Sequence, residues 1–469
     1  MTNTLPSQNL PPKASARARD SAIGQHRQKR SAMDVGMGLL TPLLGQEFLD
    51  RHNLREPLNR ALKFGVKHGF SAVGASTRQF TKIQGLGKPP TRLAPSTADY
   101  FDLTPDDDQK MIVETVRQFA EEILRPAARG ADDAAAYPPD LIARAAELGV
   151  TAIKVPAEFD GIAEERTAVT NALVAEALAY GDMGLALPIL APGGVAAALT
   201  RWGNADQQAS YLAAFAGENV PQACLAIAEP HPLFDPTVLK TVAVRTPSGY
   251  RLDGVKSLVP AAADAELAVV AAQLNGKPAL FIVESDSAGL SVTADRSMGL
   301  RAASLGRVTL DKVSVPLSAR LGGSSDATDA DYARDYSEAI ALSRLGWAAL
   351  AVGTCDAVLD YVVPYVKQRE AFGEPIARRQ SVAFMCADIA IELDGLRLVT
   401  WRGAARADRG LPFAREAALA KRLGTDKGMR IGLDGVQLLG GHGFTKEHPV
   451  ERWYRDLRAI GVAEGVVVL

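Results

Sequence analysis

The spacing of apolar residues changes twice along this chain, and that change limits the folds it can adopt. Between residues 103 and 218 apolar residues recur three and four positions apart, which indicates helices. Between about 221 and 323 they alternate in short runs separated by Gly and Pro, which indicates strands without intervening helices. From about Tyr332 the helical spacing returns. The pattern predicts an α+β fold with an N-terminal helical domain, a middle antiparallel β-sandwich or barrel and a C-terminal four-helix bundle.

The first long helix carries sequence signals at both ends. Thr104 is the expected N-terminal cap, and the acids that follow Pro105 suit the positive end of a helix. The helix should end before Pro126, because proline interrupts the backbone hydrogen bonds of a helix.

The front of the chain differs in charge from the rest. Residues 1–92 contain 15 Lys and Arg against 5 Asp and Glu, although the whole chain has a net charge of −2. Residues 32–84 alternate apolar and basic positions, which is typical of a solvated helical appendage or of a surface that contacts a membrane or a partner. The predicted divisions are a disordered basic tail (1–31), an amphipathic helical extension and linker (32–92), the N-terminal helical domain (93–220), the middle β domain (221–325) and the helical bundle (326–469).

Composition excludes several classes of function. The small net charge argues against a nucleic-acid-binding protein. Three cysteines at wide spacing, without a Cys-x-x-Cys or His-Glu-x-x-His motif, argue against disulfides and metal sites and fit a reducing cytoplasm. An organelle-targeting peptide in the basic tail remains the alternative. The longest apolar stretch, 184–199, is interrupted by Pro and Gly, so no transmembrane helix is predicted.

Five stretches carry motifs that occur in a fixed order. They are CLAIAEP (224–230), GYRLDGVK (249–256), KQREAFGEPIARRQ (367–380), DGVQLLGGHGF (434–444) and PVERWYRDLRAIGVAEG (449–465). In this order, and over a helix–sheet–helix pattern, the chain resembles the acyl-CoA dehydrogenase family of flavoenzymes. The resemblance implies an FAD-dependent α,β-dehydrogenation of an acyl-CoA thioester to the trans-2-enoyl-CoA.

The resemblance makes Glu464 the catalytic base, because this residue lies eight positions after Asp456, as the family spacing requires. The α-hydrogen of a thioester is a poor acid, so the base should lie in a dry pocket where burial raises its pKa. The backbone N–H of Glu464 would help to hold the thioester carbonyl, and Gly465 would lie against the substrate. Hydride would leave to flavin N5. The alternative is an exposed carboxylate near the chain end.

The resemblance also implies the residues that bind FAD. Arg369 matches a family arginine that reaches the diphosphate of the flavin held by a neighbouring subunit, which implies an oligomer. Positions around the same adenine-diphosphate half are Phe372, Gln380, Gln437, Gly440 and Gly441. The resemblance also implies that backbone groups of Leu225, Ile227 and Ala228 contact the flavin ring. As in the family, an electron-transfer flavoprotein would accept the electrons.

Several positions around the flavin ring depart from the family pattern. They are Ala228, Phe234, Leu258, Pro260 and Val466, and each lacks a hydroxyl, donor or aromatic surface that the family usually has. A lost hydrogen bond of this kind costs about 0.5–1.5 kcal/mol. His231 either replaces a lost hydrogen-bond donor or is an ordinary turn residue before Pro232. The departures, together with a chain that stops four residues after Gly465, favour a second hypothesis: a flavin-poor or non-catalytic paralogue that serves as a scaffold or as the partner subunit of a heteromeric enzyme.

Overall fold

A computed structural model of the chain describes residues 103–163, 168–217, 219–322, 328–466 and 468–469. The basic tail (1–31) and the amphipathic extension (32–92) lie outside the described residues, so their predicted structure stays a prediction.

Helices form the first described block. They are α1 (Asp107–Phe119), α2 (Arg125–Ala134), α3 (Leu141–Ala146), α4 (Ala168–Gly181), α5 (Met183–Trp202) and α6 (Ala205–Tyr211). Short 3₁₀ turns at Ala152–Lys154, Ala157–Phe159 and Leu212–Phe215 lie between or after them.

The start and end of α1 differ from the prediction. Asp106, not Thr104, is the N-cap, and it forms a reciprocal capping box with Gln109. The chain does not leave the helical path before Pro126: a π turn at Ala120–Leu124 leads into α2. Pro126 is the second residue of α2 and directly follows the π turn, where the wider backbone path already interrupts the regular α-helical hydrogen bonding that a proline disrupts.

Helices α4 and α5 are apolar on nearly every face, and both are buried in the core. Pro188 and Pro192, which argued against a transmembrane helix in residues 184–199, lie inside α5. By length and composition α5 and the long helix Asp329–Gln368 could cross a membrane, but 94% of the apolar window of α5 is buried within the protein. Packing against other helices accounts for this apolar composition.

The predicted β layer is one seven-stranded sheet. Its strands are β1 (Ala223–Ala226), β2 (Val242–Thr246), β3 (Gly249–Val259), β4 (Leu267–Leu274), β5 (Lys277–Glu284), β6 (Leu290–Ala294) and β7 (Gly306–Pro316). The order is β1-β4-β2-β3-β7-β6, and β5 pairs with β4. Most pairs are antiparallel as predicted, but β1 and β2 pair with β4 in parallel. Long connections between these strands allow a parallel pairing that a tight turn cannot make.

Helices return after the sheet. They are α7 (Asp329–Gln368), α8 (Gln380–Asp408), α9 (Ala414–Leu439) and α10 (Val450–Leu457), and a small hairpin of β8 (Glu370–Ala371) and β9 (Glu374–Pro375) joins α7 to α8. Helix α7 begins at a capping box between Thr328 and Asp331. It packs closely on α4, since a Cβ at Gly353 would lie 2.0 Å from the carbonyl oxygen of Glu176. The predicted fold class is confirmed.

Buried charged groups join the three blocks and fix the segment that leads to Glu464. Arg452 of α10 donates to Asp182, the N-cap of α5, at 2.9 Å. Asp456 of the same helix accepts from the backbone N–H of Leu300, which precedes β7, at 2.6 Å. Burial, with the neighbouring charge of Asp182, raises the pKa of Asp456 well above its ordinary value. These contacts fix the place where the chain leaves α10.

Candidate active site

Glu464 is largely buried, and its carboxylate is paired with a cation. It follows a 3₁₀ turn at Arg458–Gly461, and only 11% of its side chain is exposed. Arg344 of α7 binds both carboxylate oxygens: its Nη2 lies 3.0 Å from Oε1, and its Nε lies 3.2 Å from Oε1 and 3.3 Å from Oε2. The carboxylate is therefore not the exposed chain-end group of the alternative hypothesis.

A second cation, Lys421 of α9, lies beside the same carboxylate. Its Nζ is 3.9 Å from Oε1 of Glu464 and donates to the carbonyl of Ala463. The ammonium also lies over the ring of Trp347, 5.6 Å from its centroid. Burial lowers the pKa of Lys421 to about 8, although the charge of Glu464 opposes this effect. Two positive groups thus hold one carboxylate.

Sequence reasoning missed both cations. One signal was present for Arg344, because it is the only charged residue between Glu338 and Asp356 in an otherwise apolar stretch of α7. A lone charge in a buried helix usually has a partner elsewhere in the fold. For Lys421 the local sequence, which alternates charged and apolar residues, offers no such signal.

The backbone after Glu464 is held from two sides. The carbonyl of Gly465 accepts hydrogen bonds from Ser343 Oγ and Trp347 Nε1, both at 2.7 Å. Gly465 has φ of +80°, and a Cβ there would lie 2.9 Å from the side chain of Ile227. Glycine is therefore required, both for its backbone conformation and for this close approach. Val466 has φ of +76°, a strained value for a β-branched residue.

Through Ile227, the motif CLAIAEP (224–230) lies against the last motif, 449–465. Leu225, Ile227 and Ala228 are all buried at the end of β1. The carbonyl of Ala228 accepts from the backbone N–H of Ser257 at 2.9 Å, and that of Ile227 accepts from Lys256 Nζ at 3.2 Å. The predicted ring-side residues therefore lie next to Gly465, with two of their carbonyl groups already engaged.

An ion pair that sequence reasoning also missed connects two motifs. Lys256 Nζ lies 2.9 Å from Oε1 of Glu229, and both side chains are almost fully buried. The carboxylate also accepts from the backbone N–H groups of Lys240 and Thr241. Burial alone would raise the pKa of Glu229, but Lys256 and these N–H groups outweigh it and lower the pKa to about 2. The pair fixes β1 against β3.

His231 lies beside this pair. Its Nε2 is 3.4 Å from Oε2 of Glu229, and its ring meets that of Phe234 edge-on, with 5.5 Å between centroids. Phe234 is therefore a packing partner of His231.

Of the other positions that depart from the family pattern, Leu258 and Val466 lie near the base. A cavity of about 100 Å³ is lined by Leu258, Trp347 and Ala463, among other residues. Pro260 and Val466 are both buried. The volume is below the roughly 300–1,000 Å³ that is usual for a small-molecule site.

A larger and more open cavity lies at the other predicted half of the site. Its volume is about 770 Å³, and its lining includes Arg369, Phe372, Gln437, Gly440 and Gly441. Phe372 is 94% exposed, and a Cβ at Gly440 or Gly441 would meet nothing within 4 Å. Five of the six residues predicted around the adenine-diphosphate half thus share one cavity. The sixth, Gln380, is the first residue of α8, between the lining residues Arg379 and Ser381.

Comparison with known proteins identifies the family. The chain matches the family models for the N-terminal, middle and C-terminal domains of acyl-CoA dehydrogenases over residues 106–219, 224–313 and 334–466. It is 30% identical over 365 residues to an acyl-CoA dehydrogenase of Bacillus subtilis, a match that covers 76% of this chain and 94% of the relative. The chain belongs to the acyl-CoA dehydrogenase family.

Other members of the acyl-CoA dehydrogenase family agree in sequence and structure. The mitochondrial short-chain specific enzyme of Mus musculus is 29% identical over 76% of this chain and 87% of its own length. Butyryl-CoA dehydrogenase from Megasphaera elsdenii has a TM-score of 0.71 and 27% identity, over 78% of this chain and 96% of that chain. A chain from a structure described as the electron transferring flavoprotein of Acidaminococcus fermentans has the same TM-score, 28% identity and the same coverage.

These matches decide several predictions. The family resemblance, the fold class and the enzyme class, an oxidoreductase acting on a CH–CH group, are confirmed. The acyl-CoA dehydrogenase family uses FAD as its cofactor. The roles of individual residues in this member stay predictions, and the geometry above supplies the arguments for them.

Proposed function

We propose that this member dehydrogenates an acyl-CoA thioester to the trans-2-enoyl-CoA, with Glu464 as the base that takes the α-proton. The observation that carries the proposal is the close approach of Gly465, the residue after Glu464, to Ile227, which lies in a motif far away in the chain. A largely buried carboxylate on a segment held close to the predicted ring-side residues is a suitable base for the α-proton, and the N–H of Glu464 is the donor that the resemblance implies for the enolate oxygen.

Arg344 and Lys421 define the resting state of this base. A base must be ionised before it can accept a proton, and both cations lie within 4 Å of the carboxylate of Glu464. Arg344 contacts both oxygens, but Oε2 takes only its contact at 3.3 Å and therefore keeps a lone pair that can accept the proton. The proton then moves from the substrate α-carbon to that oxygen. FAD, when bound, supplies the acceptor for the hydride from the β-carbon.

The open cavity suits the diphosphate of this cofactor. Arg369 offers charge-assisted hydrogen bonds, and the exposed backbone at Gly440 and Gly441 lets N–H groups approach phosphate oxygens. At the ring half, Leu225, Ile227 and Ala228 are packed against neighbouring segments. Binding a ring there requires the small cavity next to Ala463 to widen.

An oligomer is proposed because Arg369 matches a family arginine that reaches the flavin of a neighbouring subunit, and the open cavity at Arg369 leaves room for such a contact. An apolar stripe of Phe384, Ile391 and Leu398 lies exposed on α8, seven residues apart and therefore on one helix face. A second copy that covers this stripe would give a homo-oligomer, whereas a paralogous chain would give a heteromer. Light scattering of the purified protein distinguishes a monomer from either.

The electron acceptor is proposed to be an electron-transfer flavoprotein. The similarity to a chain from the Acidaminococcus fermentans structure supports it. Reduction of a purified electron-transfer flavoprotein, followed by its flavin absorbance, tests this step.

The second candidate is the flavin-poor paralogue. Two observations favour it: the small cavity near the base, of about 100 Å³, and the engaged carbonyls of Ile227 and Ala228. A colourless protein that stays inert when FAD is supplied would support this candidate.

The deciding experiment is the flavin spectrum followed by a base substitution. We expect a yellow protein whose flavin absorbance bleaches with an acyl-CoA from a panel that begins with butyryl-CoA. Glu464→Gln keeps the side-chain shape and should lower kcat by about 10²–10⁴-fold, the usual contribution of a general base. Glu447→Gln, the same change at an exposed position, is the control. Unchanged turnover in Glu464→Gln would refute the role of the base.

A further inference from the structure

Lys421 makes contacts that its sequence neighbours on α9 do not. Among the described residues Glu464 is the only carboxylate within 4 Å of its ammonium. One donor goes to the carbonyl of Ala463, the residue directly before the base, and the aromatic face of Trp347 covers another side. A buried ammonium is costly unless its donors are used, so these contacts need an explanation.

The elements around Lys421 hold it in place. Helix α9 packs on the 3₁₀ turn that precedes Glu464: a Cβ at Gly424 would lie 3.3 Å from Ile460, and one at Gly461 would lie 2.9 Å from Thr425. The ammonium therefore reaches Ala463 from a rigid helix. Groups held on helices are positioned more accurately than groups on loops.

We infer that Lys421 is a positioning residue for Glu464: by fixing the carbonyl of Ala463, it orients both the backbone N–H and the carboxylate of the next residue. The expected effect on activity rests on the proposed function, in which the N–H and the carboxylate of Glu464 act on the substrate. A displacement of about 1 Å in a catalytic group can lower a rate by ~10²-fold, so the position of this peptide matters.

Loss of the proton from Lys421 should affect the rate at alkaline pH. The charged groups acting on Lys421 are Glu464 from the chain that follows α10, which opposes proton loss, and Arg344 from α7, which favours it. Burial lowers the pKa of Lys421 to about 8. As pH rises through that value the amine loses its charge and its attraction for Glu464. The rate should then fall on the alkaline side.

The first test compares Lys421→Met, Lys421→Arg and the control Lys427→Met. Lys427 lies on the same helix, but it pairs with Glu392 at 2.6 Å, not with Glu464. We expect Lys421→Met to lower kcat by about 10–10²-fold with little change in KM, and to lose the alkaline fall in rate. Lys421→Arg should recover much of kcat and also lose the alkaline fall, because arginine keeps its proton. Lys427→Met should match the parent chain.

The second test does not need turnover. In protein labelled with ¹³C at lysine Cε, the NMR signal of Lys421 is the one that is missing in Lys421→Arg. Its titration midpoint should move to lower pH in Glu464→Gln, because the carboxylate no longer stabilises the ammonium. If the chain proves inactive, this shift still supports the contact. An unchanged midpoint in Glu464→Gln, or an unchanged kcat and pH profile in both Lys421 variants, would overturn the inference.

Discussion

The two predicted halves of the cofactor site differ in how completely one chain builds them. Around Glu464 the main polar groups have partners within the chain: the carboxylate has two cationic partners, and the carbonyls of Ile227 and Ala228 accept hydrogen bonds. At Arg369 the cavity is open, and the ring of Phe372 is 94% exposed. The enclosed half is therefore fixed by contacts within the chain, whereas the open half depends on what binds to it.

The largest expected effect is a loss of stability when an ion pair of the enclosed half is removed. Lys256 and Glu229 are 0% and 2% exposed, so Lys256→Met leaves a buried carboxylate without its cation. Breaking such a pair costs about 3–5 kcal/mol. Urea unfolding should show this loss, while Lys277→Met, at an exposed lysine of β5, should change stability by less than about 0.5 kcal/mol. A loss in Lys256→Met as small as that of the control would mean that the pair does not hold β1 to β3.

The same contrast explains what the sequence could predict. The order of helices and strands is encoded in the local spacing of apolar residues, so the fold class was accessible. The five predicted residues that line the open cavity lie within two short motifs, 367–380 and 434–444, so their proximity was accessible through the resemblance.

The enclosed half was less accessible because its contacts join distant segments. Arg344 lies 120 residues before Glu464, and they meet only because α7 passes beside the chain that follows α10. The helix cap at Asp106 was missed for a local reason, since Thr104 is also a good capping residue and no simple pattern separates the two.

A second prediction concerns the free energy that it costs to bury a lysine without an acidic partner. Lys154 is fully buried, its Nζ donates to the carbonyl of Val468 at 2.6 Å, and no acidic side chain of the described residues pairs with it. Burial lowers the pKa of Lys154 from its ordinary value of 10.5 to about 7. Between these values the unfolded chain binds more protons than the folded one, so this lysine makes stability rise with pH from about 7 to 10.5.

Replacing Lys154 with Met should remove that dependence. At pH 7 we expect the variant to be more stable by about 2–4 kcal/mol, because each pKa unit corresponds to ~1.4 kcal/mol and the lost hydrogen bond offsets part of the gain. The advantage should shrink as pH approaches 10. Urea unfolding at pH 7, 8.5 and 10 measures it, with Lys110→Met, at an exposed lysine, as the control. A variant less stable than the parent at pH 7 would show that the contact with Val468 outweighs the burial of the charge.

The smallest expected effect concerns the open half. Here a substitution should change the affinity for FAD without changing the stability of the protein. Arg369 is exposed, so Arg369→Gln should leave urea unfolding of the flavin-free protein unchanged. A charge-assisted hydrogen bond contributes about 1.5–3 kcal/mol, so the affinity for FAD should fall by roughly 10–150-fold. Arg378→Gln, a nearby exposed arginine outside the cavity lining, is the control, and equilibrium dialysis gives both affinities. If Arg369→Gln bound FAD as tightly as the control, the open cavity would not be the diphosphate site. The contrast between the two halves would then reflect only a surface where another chain docks.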